Sequence, residues 1–241
     1  MISSIAFILL IIFTVSTSSR RRRMLSKSFD GWVLDLINLP IQGILVPILQ
    51  TVFFYGILSA IFPSYKNTLE FSPVVSFLLN FVFVDYLYYW NHRLLHVNGL
   101  WNLHKVHHSV EDMDVLATSR NTVWTTFLIV YVWINSIFIF LLKDPTYYVM
   151  AASLGAALDL WKHSNFYSAH FISDKFFLAT PIDHQWHHSR EPNSNYGANF
   201  NLWDKIHGSY RKEQEKPQSL GIKLKLPLWK SLFFPFKENI S

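Results

Sequence analysis

The chain contains no cysteine. That excludes disulfides, thiolate metal sites and cysteine nucleophiles, so any metal must be held through nitrogen or oxygen. Charge is also scarce. Charged residues make up 15% of the sequence, against about 25% in ordinary soluble domains. With hydrophobic residues at 51%, this deficit makes lipid part of the solvent. The pattern Glu-x-x-His is missing as well, which rules out the ferritin-like way of assembling a carboxylate di-iron site.

What the sequence does have is histidine, aromatic and basic residues. There are 11 histidines, 17% aromatics and a formal charge of +5. The basic residues flank apolar runs, so membrane topology explains them better than nucleic-acid binding does. The length of 241 residues suits one domain, or one membrane unit with a cytosolic cap.

Residues 2–19 form an apolar run followed by Arg20, Arg21, Arg22 and Arg23. A secretory signal carries its charge before the apolar core. The reverse order here predicts a retained anchor with the arginines in the cytoplasm. Further apolar runs cover 38–62, 71–91, 122–142 and about 145–162. Pro40 and Pro47 predict a kink or a late start in the first of these. Lys143, Asp144 and Pro145 predict a tight hairpin between the last two. With Arg20–Arg23 inside, segments 92–120 and 163–241 are cytoplasmic, and of 21 Lys and Arg residues only Lys66 and Lys143 fall outside, as the positive-inside rule requires. The expected fold is all-α, with four to five transmembrane helices and a cytosolic helical cap over a histidine-rich dinuclear metal site. Its expected parts are an anchor (1–23), a catalytic membrane domain (24–210) and a cytosolic or membrane-surface tail (211–241).

The histidines are clustered. His92 and His96 are four apart. His104, His107 and His108 form one His-x-x-His-His word, and His184, His187 and His188 form another. Residues three or four apart share a helix face, so each cluster can aim two or three imidazoles at one point. Imidazole suits iron, zinc, copper and nickel. Eight clustered histidines, with the isolated His163 as a further contributor, exceed the needs of one ion and suit two. Tetrahedral zinc uses three or four ligands, so this nitrogen count favours iron and oxygen activation. Zinc-dependent hydrolysis is the competing reading. His170 and His207 read as structural.

Asp85 lies inside an apolar run two turns before His92. Charge there is costly and usually functional, which predicts a contact to a ligand histidine or to Arg93. Asp159 stands in a similar place before His163. Glu111, Asp112, Arg120, Asp183 and Asp204 are candidates for the same supporting shell, and Asn165 could bond a metal-bound water. Asp85, Glu111 and Asn165 are the candidates for direct roles in the chemistry. Tyr86, Tyr88, Tyr89 and Trp90 read as an interfacial aromatic belt.

The stretch from about Asp85 to Leu220 resembles the fatty acid hydroxylase/sterol desaturase superfamily of membrane histidine-box di-iron oxidoreductases. The resemblance is carried by Asp85-Tyr-Leu-Tyr-Tyr-Trp-Asn-His92-Arg, by Leu100-Trp-Asn-Leu-His104 through His108-Ser-Val-Glu111-Asp, by Thr180-Pro-Ile-Asp-His184, by Asn195-Tyr-Gly197 and by Trp203-Asp204. The His-His-Ser-x-Glu-Asp and Thr-Pro-x-x-His words look most similar to the alkylglycerol monooxygenase-like and bacterial sterol desaturase family branches. One departure is His207-Gly-Ser, where the family usually has Phe-Gly-Thr. The resemblance implies that His92, His96, His104, His107, His108, His163, His184, His187 and His188 hold two iron ions, with zinc able to replace them in purified protein. It also implies a lipid substrate and an external electron donor, either a cytochrome b5 or ferredoxin system or a pterin. The expected reaction is O2-dependent lipid hydroxylation, with desaturation as the alternative. The expected place is the endoplasmic reticulum of a eukaryote or the inner membrane of a bacterium, with the histidines on the cytosolic face.

Overall fold

A computed structural model of the chain describes residues 2–166, 175–190, 193–213 and 215–233. His170 lies outside the described residues. Among them the fold is helical, and β pairing is confined to isolated bridges at Leu69–Leu142, Leu178–Phe200 and Ser189–Leu220.

Helix α1 (Ile2–Ser16) breaks by 100° into α2 (Ser18–Leu25). Arg20 holds that corner: its guanidinium lies 4.0 Å from the Phe13 ring and donates to the Asn165 carbonyl at 3.2 Å. The next helix, α3, runs from Phe29 to Ile61. It starts well before the expected residue 38 because Ser28 caps it, accepting from Gly31 N at 3.1 Å, and Asp30 sits in the positive first turn. Polar residues of this first stretch, Asp35 and Asn38, are buried on the protein side, so hydropathy alone hides the helix. Pro40 and Pro47 are accommodated without ending it. A π-helical segment, Ile41–Leu45, lies between them and relaxes the ladder that Pro47 cannot complete. The outward face carries Ile44, Leu45, Ile48, Leu49, Val52 and Phe53, all exposed.

Helix α4 (Pro73–Leu95) begins at the cap Ser72, contains a second π-helical segment at Leu79–Val84, and delivers Asp85 and His92. Short α5 (Trp101–His104) and the 3-10 turn His107–Ser109 carry the second histidine word. Then come α6 (Val130–Leu141), α7 (Thr146–His163), α8 (Pro181–His187), α9 (Leu202–Ile206) and α10 (Leu228–Phe233). Helix α7 packs on α1, on the first half of α4 and on α8. The second half of α3 packs on α6. Val84, Leu142 and Tyr148 form a buried apolar cluster where α4, α6 and α7 meet.

Among the described residues two helices are long and apolar enough to cross a membrane, α3 and α4, or three if the bent pair α1–α2 is one span. This is fewer than the expected four to five. The run 122–142 is not one helix: the chain is extended at Ile129, which leaves a 12-residue α6, about 18 Å long at 1.5 Å per residue. Helix α7 has 18 residues but carries Asp159, Lys162 and His163 at its end.

Candidate metal centre

Helix α8 is seven residues long and holds His184 and His187, with His188 as its C-cap. So short a helix needs its ends fixed. Thr180 and Asp183 form a reciprocal capping box, with the Asp183 carboxylate accepting from Thr180 N at 3.0 Å and Asp183 N donating to Thr180 Oγ1 at 3.4 Å. Pro181 presets its first turn. Asp183 therefore caps the histidine helix.

The nine histidines of the sequence patterns are brought together in two groups. His92, His96, His104, His108 and His187 form one, and His107, His163, His184 and His188 the other. Within each group the candidate ligand atoms lie within 4.8 Å of one another. Each His-x-x-His-His word serves both groups. The i,i+4 pairs His104/His108 and His184/His188 stay within a group, while the middle residues His107 and His187 cross to the other. The break in helix after His104 and the helix end at His188 make this crossing possible. The groups touch: the His108 and His188 rings stack with centroids 4.3 Å apart.

The rings are oriented by oxygen acceptors that no residue pattern announces. Nδ1 of His92 donates to the Tyr196 carbonyl at 2.8 Å, His107 to the Arg120 carbonyl at 3.1 Å, His163 to the Asp159 carbonyl at 2.8 Å and His187 to the Ser194 carbonyl at 2.8 Å. His96 Nδ1 meets Asn193 Oδ1 at 3.2 Å. A carbonyl can only accept, so these contacts assign the proton to Nδ1 and turn the Nε2 lone pair inward. The Nε2 atoms of His107 and His163 then face each other at 3.4 Å with no proton between them. Nε2 of His184 lies 3.0 Å from that of His163, and Nε2 of His188 lies 3.1 Å from that of His107. In the first group His96, His108 and His187 each leave a buried Nε2 without a partner. Opposed and unpaired buried lone pairs are costly. A cation among them resolves the cost, so this donor set fits metal ions. Burial pushes the His104, His108, His184, His187 and His188 imidazoles well below the ordinary histidine pKa, that of His96 to about 4 and that of His107 to about 3. They are held neutral, the form that binds metal.

Asp204 supports the first group indirectly. Its carboxylate accepts from Tyr196 N and Gly197 N, both at 2.7 Å, and from Ser209 Oγ at 2.8 Å. This fixes the turn whose carbonyl orients His92. Gly197 is required by close approach: a Cβ there would stand 2.1 Å from the Phe200 carbonyl oxygen. Asp85 is fully buried, and none of its described hydrogen bonds goes to a histidine or to Arg93. It accepts from Asn199 N at 2.8 Å, Trp203 Nε1 at 2.7 Å and Tyr131 OH at 3.2 Å, pinning the 196–204 segment to α4. Glu111 is exposed, and no described contact joins its carboxylate to a histidine. Asn165 turns to Lys216, accepting from its Nζ at 2.5 Å. His207 lies among Tyr86, Tyr89 and Trp90, apart from both groups. Asp159 pairs with the buried Lys162 at 3.1 Å, beside His163. Lys162, Tyr196 and Ser194 are not among the site residues that the sequence predicts. The last two act through backbone atoms, which leave no trace in residue type.

The profile of the fatty acid hydroxylase family matches residues 77–209, from the second turn of α4 to Ser209. The chain belongs to the fatty acid hydroxylase family. All nine grouped histidines fall inside the matched stretch. Among its relatives, human alkylglycerol monooxygenase is 33% identical over 141 residues, covering 56% of this chain and 31% of that protein. The Xenopus tropicalis alkylglycerol monooxygenase is 30% identical over 143 residues, 57% of this chain and 31% of the relative. Ornithine lipid hydroxylase OlsE of Rhizobium tropici is 32% identical over 151 residues, 60% of this chain and 44% of the relative. The matches thus span less than half the length of these relatives. No solved structure matches the chain.

Proposed function

We propose that this fatty acid hydroxylase family member is a membrane-bound di-iron oxidoreductase that hydroxylates a C–H bond of a lipid with O2 and electrons from an external donor. The observation that carries the proposal is the pair of buried histidine groups, five of whose Nδ1 atoms are bonded outward to oxygen acceptors while Nε2 atoms gather inside. The nine histidines would hold two irons, which would supply oxygen activation. The membrane helices would hold this centre on the cytosolic face, the side on which the arginines after α1 and all Lys and Arg but Lys66 and Lys143 would also fall.

The chain's own residues supply the rest. A cavity of about 660 Å³, lined by residues of α1, α3 and α7, reaches the histidines, a volume typical of small-molecule sites. Phe7, Ile8, Leu39, Ile44 and Pro47 line its apolar end, and His92, His104, His107, His163 and His184 line the other. Small residues on α7, Ala152, Gly155 and Ala156, keep it open. Ala152 is 11 residues from His163, about 16 Å along a helix of 1.5 Å rise, so the cavity can take an extended apolar chain and exclude water from the reacting carbon. Hydroxylation consumes O2, two electrons and two protons per C–H bond and yields the alcohol and water. Lys162 Nζ and the Asp159 carboxylate both line the cavity beside His163 and are the groups placed to hand on those protons.

The names of the relatives favour hydroxylation over desaturation, which the same site could perform. The donor, whether cytochrome b5, ferredoxin or pterin, and the lipid class follow from experiment. Cells with and without the protein are compared by lipidomics, and the purified protein is assayed for iron and for O2 uptake. A lipid gaining one oxygen supports the proposal, and a new double bond points to desaturation. Zinc with O2-independent lipid cleavage would overturn it in favour of a hydrolase.

A further inference from the structure

Four charged side chains lie buried together beneath the second histidine word. Lys27, Asp35, Asp114 and Arg120 have side chains between 0% and 6% exposed. Lys27 Nζ stands 2.6 Å from Asp35 Oδ2 and 2.6 Å from Asp114 Oδ2, the second a charge contact without hydrogen-bond alignment. Arg120 Nε donates to Asp35 Oδ1 at 2.6 Å. Charge balances within the cluster. Burying such ions is costly, and apolar replacements are often equally stable, so stability alone is a weak reason for the cluster to exist.

Its geometry supplies a better one. Asp35 takes one cation on each carboxylate oxygen. The Arg120 guanidinium held this way also donates to the Ser109 carbonyl at 3.2 Å and the Gly31 carbonyl at 3.1 Å. The backbone carbonyl of the same Arg120 receives Nδ1 of His107 at 3.1 Å. Arg120 therefore grips the chain just after His107-His108 with its side chain and orients His107 with its backbone. Both grips depend on where Asp35 puts it.

We propose that Asp35, together with Lys27, is a positioning residue for the second histidine group: by fixing Arg120 it fixes the tautomer and direction of His107 from the first turns of membrane helix α3. The inference rests on the reading of the histidines as metal ligands. It makes occupancy of one metal position depend on the docking of α3 against the loop 109–120, and it leaves the first group independent, since no member of that group bonds Arg120 in the described contacts.

The test is anaerobic titration of the full, metal-stripped chain in detergent with ferrous iron. The wild type is expected to bind two ions. Asp35→Asn is expected to bind one ion with wild-type affinity and the other about 10–100-fold more weakly, the usual effect of losing an outer partner, with Asp35→Glu recovering part of the loss. Arg120→Lys keeps the buried charge and the backbone carbonyl but loses the fork. It is expected to show the same split and carries the test if Asp35→Asn does not fold. A merely structural role would lower the melting temperature of the metal-free protein and leave both affinities unchanged, which would overturn the proposal. A wild type that binds no iron would overturn the metal reading itself, and this proposal with it.

Discussion

His107 and His163 each spend the Nδ1 proton on a backbone carbonyl and face each other through Nε2 at 3.4 Å. A cation between them relieves that opposition. Replacing His107 with Ala is therefore expected to empty the second group while sparing the first, with a loss of lipid oxidation larger than the roughly 10–100-fold that an outer-shell change costs. Metal analysis of the purified variant checks this, and retention of both ions would count against the assignment. Gly197 makes a different demand. A methyl group there meets the Phe200 carbonyl at 2.1 Å, so Gly197→Ala is expected to destabilise at the upper end of the about 1–3 kcal/mol seen for overpacked sites. It should also displace the Tyr196 carbonyl from His92, and thermal unfolding with metal analysis reads both effects. At this scale the gathering of the nine histidines was legible, because it follows from their side chains and spacing. The division between two groups was not, since it depends on where the helices of His104 and His187 stop. The acceptors Tyr196, Arg120, Ser194 and Asp159 act through carbonyl oxygens that every residue carries. Asp85 stands out as a charge inside an apolar run, but two of its three partners, Asn199 and Trp203, lie more than a hundred residues away.

Helix α8 shows what a short element needs in order to hold three rings. Its capping box and Pro181 set its start. Thr180→Ala is expected to cost about 1 kcal/mol, to lower Tm by about 2–4 °C for a chain of this size, and to shorten the time for which the protein resists a chelator. Unchanged chelator resistance would mean that the capping box does not hold the metal groups. Helices α3 and α4 were legible as apolar runs, but their limits were not. The first turns of α3 bury Asp35 and Asn38 against protein, so they read as extramembrane. The π-helical segments at Ile41–Leu45 and Leu79–Val84 have no hydropathy signature. The run 122–142 reads as one span because averaging passes over the extended residue Ile129.

Across the whole molecule, the cavity leads from exposed apolar residues of α1 and α3 to the histidine groups. The walls of that path set what fits. Filling it with Ala152→Phe is expected to leave metal content intact and to lower kcat/KM for the longest-chain substrates at least about 10-fold, the scale on which a methylene in an apolar pocket is discriminated. Equal losses for short and long chains would show that the cavity does not receive the apolar chain. The most direct test of the central claim is the iron content of the full chain purified from iron-supplied cells without chelator. The account predicts two irons per chain. A chain folded in its membrane form that carries no iron, or a single zinc in its place, would contradict it.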